Sequence, residues 1–171
     1  MKMKNTLILI LIALTVLAAA VTVMAETPSP VAMNNKTLGG GQLNVYTPGV
    51  DGGTGLNNIG LLVRTCGVVT YYDDDNKFFY IDDGSGLKDG SKKLDGTTDV
   101  VGIRVSYKDL APNVSFSRPI QGAWVTITGI SSTSEITVDI EGISETTTKI
   151  VRTLLPRKQT DVQESITSGL P

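Results

Sequence analysis

Leu7 to about Met24 forms a charge-free apolar run whose only polar members are Thr15 and Thr22. Beyond it, no stretch keeps apolar residues at the three- and four-residue spacing of a helix with one buried face. Short apolar runs broken by Gly, Asp, Asn and Pro take over, a pattern that predicts strands joined by turns. The first strand spans about Leu61 to Tyr72 and contains Gly67. A glycine inside a long strand marks a bulge or a sharp bend. Asp73-Asp74-Asp75-Asn76 reads as a turn, because Asp and Asn bond their own backbone. Phe78 to Asp82 completes a hairpin, and Asp83-Gly84-Ser85-Gly86 turns the chain again. Lys88 to Asp99 is polar and reads as a surface excursion. Further strands are expected over Val100–Ser106, Ala123–Ile130, Ile136–Ile140 and Lys149–Leu155. Ala123, Val125, Ile127 and Gly129 alternate onto one face. Lys108 to Pro119 has no period, and from Pro156 the sequence turns polar and is expected to fray.

Composition points the same way. Residues 26–171 hold 18 Thr, 14 Val and 11 Ile against three Ala, and β-branched side chains suit a pleated surface better than a helix. The fold class expected is all-β. Residues 26–59 carry seven of the 18 glycines and read as a flexible extension. Leu38, Leu43, Val45, Tyr46 and Leu56 are the residues that could bring parts of it over the core. Met33-Asn34-Asn35 and Leu56-Asn57-Asn58 echo one another too briefly to count as a repeat.

The N-terminal run follows Lys2 and Lys4 and ends on Val23-Met24-Ala25, the layout of a secretory signal peptide over residues 1–25. An uncleaved membrane anchor is the alternative, with a length near the lower limit for spanning. The small-residue site favours cleavage and a secreted product, extracellular or periplasmic. Cleavage removes two of 15 basic residues, leaving 13 against 17 acidic ones and a net charge of −4. Such a protein has no general attraction for nucleic acid or anionic lipid. Any membrane contact would run through the N-terminal segment alone, if it stays uncleaved. The single cysteine allows no internal disulfide, so stability rests on an apolar core.

The bent first strand, the hairpin and Phe79-Tyr80-Ile81-Asp82-Asp83-Gly84-Ser85-Gly86, followed by Gly122-x-x-Val125-x-Ile127-x-Gly129, resemble the OB-fold. The Phe79–Gly86 segment is similar to the second-strand motif of OB domains of the replication-protein-A type. With the leader and the Gly55–Val63 approach, the whole looks like small exported bacterial OB-fold proteins of no assigned activity. The resemblance implies a five-stranded Greek-key barrel over residues 60–157, after a Gly-rich extension (26–59) and before a flexible tail (158–171). It implies ligands lying across the second and third strands, flanked by loops. On this chain that face would draw on Tyr72, Phe78 or Phe79, Tyr80, Arg104 and Tyr107. The chain departs from nucleic-acid binders at Asp73-Asp74-Asp75, a negative block where a phosphate backbone would pass.

No His is present, which excludes a Ser-His-Asp triad and any His metal ligand. No cofactor motif is present. The acidic clusters fall in expected turns, and no spacing demands a catalytic pair, so enzyme activity is not expected. Asp82-Asp83-Gly84-Ser85-Gly86 offers oxygens to calcium, but its pattern is that of a tight turn, which is favoured. Arg64, Arg104 and Arg152 could converge on one outer face, although pairing with neighbouring strands is the favoured reading. Cys66 reads as a small buried residue, and Trp124 as a ring packed under a loop such as the Gly-rich extension. The expectation is an exported, non-catalytic binding or assembly module that meets an unidentified ligand or a cell-envelope component. Single-stranded nucleic acid, disfavoured by the acidic turn, and oligosaccharide are the alternatives.

Overall fold

The computed structural model describes residues 28–140 and 144–165. The apolar leader and its expected cleavage site lie outside them. Among the described residues there is no α-helix, and hence none long and apolar enough to cross a membrane.

Seven strands form one mixed sheet. They are β1 (Val31–Ala32), β2 (Leu62–Asp73), β3 (Phe78–Asp82), β4 (Ile103–Ser106), β5 (Trp124–Asp139), β6 (Thr146–Leu155) and β7 (Val162–Glu164). Residues 124–139 are one continuous strand rather than the two separated runs the apolar pattern predicts. Ser131, Ser132, Thr133 and Ser134 pair with β6 although they add little apolar signal.

The pairings close a ring through β2, β3, β4, β6 and β5. A ring of five strands cannot be antiparallel throughout, because alternate directions need an even number. One parallel seam is required, and it lies between β4 and β6, where Arg104 faces Thr153 and Val105 faces Leu154. Strand β2 makes closure feasible by serving two neighbours in turn. It pairs with β5 from Leu62 to Val68 and with β3 from Val68 to Asp73. The change of partner falls beside Gly67, where a Cβ would lie 2.7 Å from the backbone carbonyl of Asp82. Gly102 admits a second close approach at φ +112°, with no room for a Cβ against the Ile81 carbonyl. Inside the ring, Val63, Val69, Phe79, Ile81, Ile103, Val105, Val125, Ile127 and Leu154 form the central cluster. Val125 and Ile127 thus occupy the inner face that their alternation assigned.

The Gly-rich extension lies against this ring. Strand β1 runs parallel to β2, and Leu38 is fully buried in the central cluster. Leu43, Val45, Tyr46 and Leu56 remain exposed. Two buried asparagines fix the segment. Asn35 donates from Nδ2 to the Ile81 carbonyl (3.1 Å) and accepts from the Thr65 hydroxyl (2.9 Å). Asn58 accepts through Oδ1 from Gly39 N–H and the Ser131 hydroxyl, both at 2.8 Å, and donates to the Thr37 carbonyl at 2.6 Å. The preceding residues, Asn34 and Asn57, turn the local backbone by accepting from Thr37 N–H and Ile59 N–H. The short echo in the sequence is therefore one device used twice, a turn-forming Asn followed by a buried one.

The expectation of a flexible tail from 158 is corrected for its first half. Gln159–Asp161 forms a 3-10 turn, and β7 pairs antiparallel with β5. The anchor is Asp161, which accepts from Arg157 N–H (2.9 Å) and from Arg157 Nε (3.1 Å) while Val162 is buried. Burial opposes the Asp161 charge, but the bonds from Arg157 hold its carboxyl below the usual range. Residues 166–171 lie outside the described part.

Two substitutions test these restraints. Gly67→Ala should lower stability by about 1–3 kcal/mol, because Asp82 backbone cannot retreat without breaking the ladder. Asn58→Ala should cost about 1–3 kcal/mol by leaving buried partners unbonded. Urea unfolding midpoints measure both, and unchanged midpoints would contradict the packing described.

Candidate functional site

Five aromatic residues lie on the β2–β3 hairpin, and adjacent strand positions face opposite sides. A bulge decides which ring goes where. The register passes from Val69 opposite Ile81 to Tyr71 opposite Tyr80, leaving Thr70 extra. The Thr70 hydroxyl donates to the Val101 carbonyl at 2.5 Å, and its own carbonyl accepts from Gln121 Nε2 at 2.9 Å. One extra residue inverts the alternation beyond it. Val69 faces inward, Tyr71 is carried outward, and Tyr72 turns inward opposite Phe79.

On the outer face Tyr71, Phe78 and Tyr80 form a triangle of rings with centroids 5.9–6.5 Å apart. The Arg104 guanidinium lies 4.0 Å from the Phe78 centroid, and Arg104 Nε donates to the Tyr80 hydroxyl at 3.3 Å. Such a cation over a ring contributes roughly 0.5–2 kcal/mol, depending on desolvation. Tyr80 is fully buried although it points away from the core. The 87–100 segment covers it: the hydroxyl donates to Asp89 (2.7 Å) and meets the Ser91 hydroxyl at 3.0 Å. Burial, seconded by the Asp89 charge, pushes the Tyr80 phenol far above its ordinary value.

Beside this cluster opens a groove of about 630 Å³. Its floor includes Tyr71, Phe78, Tyr80 and Arg104, and Ser134–Thr137 of β5 form one wall. Lys92, Lys93 and Lys108 line it, as do Asp73, Asp109 and Glu135. The charges interleave, so the groove is polar without being strongly cationic. Asp73 is engaged locally, accepting from Asn76 N–H (2.9 Å) and Asn76 Nδ2 (2.8 Å). Lys92 is paired with Asp99.

The structure thus divides the five residues that the resemblance selected. Phe78, Tyr80 and Arg104 share the groove. Tyr72 and Tyr107 do not; they sit at one end of the ring against the core. There the Arg118 guanidinium lies 3.3 Å from the Tyr72 centroid, and Tyr107 stacks on Phe116 at 4.6 Å. Arg118 grips both oxygens of Asp74, with Nη2 at 2.9 Å, and its hydrogen bond holds the Asp74 carboxyl below its usual range. Tyr71, Lys92, Lys93 and Lys108 join the groove without having been singled out. The neighbouring Tyr71-Tyr72 pair was the visible signal for Tyr71, but no sequence feature places the bulge at Thr70.

The three strand arginines do not converge. Arg64 Nε donates to the Thr128 hydroxyl at 3.0 Å, Arg104 lies in the groove, and Arg152 lines a separate cavity. In the 82–86 turn, Asp82 accepts from Gly86 N–H (3.0 Å) and Asp83 from Ser85 N–H (3.1 Å) and Asn35 N–H (2.8 Å), as a tight turn requires. Trp124 is 40% exposed at the start of β5, not packed under the extension, because β5 begins at the edge of the ladder opposite Val68. Cys66 is half-buried rather than buried, since the pleat turns it away from the core beside Ala32 and Met33.

No protein-family model, curated protein or solved structure matches this chain.

The buried phenol predicts an alkaline signature. Tyr80 has a raised folded-state pKa, so the stability linked to it is complete below the unfolded value of about 10 and is lost as pH rises past it. Ultraviolet titration should show one of the five tyrosines ionising only as the circular-dichroism spectrum of the fold collapses. Tyr80→Phe should remove that coupled step; its persistence in the variant would assign it elsewhere.

Proposed function

We propose that the chain is an exported OB-fold module that binds a polar polymer at the cell envelope or beyond it, without catalysis. Support for the fold reading comes from the five-strand ring, its one parallel seam and the glycine bend in β2. Support for export comes from the signal-peptide layout of residues 1–25. The observation that carries the binding reading is the groove over β3 and β4. It combines half-buried aromatic surface with a guanidinium held in place by Phe78 and Tyr80.

Ligand chemistry follows from the lining. Three lysines and Arg104 face three carboxylates, so a fully ionised polyanion meets repulsion along with attraction. An oligosaccharide is better suited, because hydroxyl groups bond to carboxylates and cations alike and sugar rings pack on aromatic faces. Single-stranded nucleic acid is the second reading. It is favoured by the four cations and opposed by Asp73, Asp109 and Glu135. Of the three carboxylates, Asp73 is committed to its turn.

Glycan and oligonucleotide arrays probed with the secreted chain separate these readings. Binding to neutral or mildly acidic glycans that is insensitive to salt supports the first. Binding to oligonucleotides that weakens steeply with salt supports the second. Arg104→Gln should weaken whichever binding is found by about tenfold, through loss of a charged hydrogen-bond donor. No binding on either array, or equal binding by the variant, would remove the groove from the function.

A further inference from the structure

A second cavity, of about 240 Å³, lies between the Gly-rich extension and β6, away from the groove. Asp51, Gly52, Lys88, Asp89, Lys149 and Arg152 contribute to its lining. Its construction is deliberate on the extension side. Asp51 N–H donates to the Ile150 carbonyl (2.8 Å), and Ile150 N–H donates back to Asp51 Oδ2 (3.1 Å). The extension is thereby clipped to β6 where the cavity opens.

The charges inside are unevenly satisfied. Asp89 uses both oxygens, one for the Tyr80 hydroxyl and one for Ser91 N–H. Asp51 is committed to Ile150. Lys88 is paired with Asp99. Arg152 is not so provided for. Its Nε is buried without any hydrogen-bond partner, and Nη2 has one long contact to the Gly52 carbonyl at 3.4 Å. Burial works against the Arg152 charge, with the Asp89 field the opposing influence. Lys149 brings a second cation to the cavity and has no ion pair among the described residues. A buried guanidinium donor left unbonded is costly, and an oxyanion is the group that matches its planar fork.

We propose that this cavity binds a small oxyanion, a carboxylate or a phosphate group, through Arg152 and Lys149. The ligand would bond the Nη end of the Arg152 guanidinium, which holds only the long contact to the Gly52 carbonyl, and tie the extension more firmly to β6. Either a free anion or an acidic substituent on a larger molecule presents this chemistry. The cavity shares no lining residue with the groove, and the proposal does not rely on the OB-fold reading.

The full secreted chain can be titrated with sodium phosphate and, separately, with sodium acetate, at constant ionic strength in a chloride background. The readouts are the melting temperature and the side-chain Nε–H resonance of Arg152. A saturable rise in melting temperature together with movement of that resonance is expected for at least one of the two anions. Response to phosphate alone, to acetate alone or to both tells which substituent the site takes. Arg152→Gln should weaken binding by at least about tenfold, and Lys149→Gln should weaken it as well. Lys149 is half-buried and outside the central cluster, so Lys149→Gln decides the matter even if Arg152→Gln fails to fold. The proposal falls if neither anion gives a saturable response beyond chloride, or if the response survives Lys149→Gln.

Discussion

The close passage of β2 against the backbone of Asp82 is the constraint on which the architecture depends. A strand with a side chain at position 67 would be held away from β3, and its two halves could not serve different neighbours. With that approach allowed, β2 hands over from β5 to β3 at Val68, and the sheet curls enough for β4 and β6 to meet. The inner cluster follows from the curl, since Val63, Phe79, Ile103, Ile127 and Leu154 come from five different strands. The chain has no internal disulfide to supplement this cluster. Its remaining cohesion comes from buried amides, with Asn35 and Asn58 binding the extension to the ring.

The outer face shows how one extra residue shapes chemistry. Thr70 sits between two registers and is tied down on both sides. Because of it Tyr71 joins Phe78, Tyr80 and Arg104 over the groove, while Tyr72 goes to the far side under Arg118. The 87–100 segment then covers Tyr80 and supplies Asp89 and Ser91 to its hydroxyl. Asp89 also lines the anion cavity, so a single loop contributes to both concave surfaces.

Much of the strand content was legible because apolar alternation and turn residues act locally. The β2–β3 hairpin and the inward faces of Val125 and Ile127 belong to this class. What was hidden depended on partners distant in sequence. The 131–135 stretch is strand because β6 lies beside it, not because of its own side chains. Strand β7 has three residues and is held by an Arg157–Asp161 contact and by β5. The bulge was invisible for the same reason, since a register shift is a property of two strands together. Two of the five residues chosen for the ligand face were lost to it and to the pairing of Tyr107 with Phe116. The unbonded Arg152 nitrogen could not have been read from residue types at all.

The parallel seam has a consequence for assembly of the chain itself. Hairpins such as β2–β3 and β5–β6 join neighbours in sequence and need little loop closure. The contact of Arg104 with Thr153 and of Val105 with Leu154 joins segments separated by the whole of β5, over a register of only two pairs. Its entropic cost is met only once the surrounding strands are in place. With two pairs it is the shortest of the five ladders that close the ring, so the closure rests on the least hydrogen bonding where the strand direction changes.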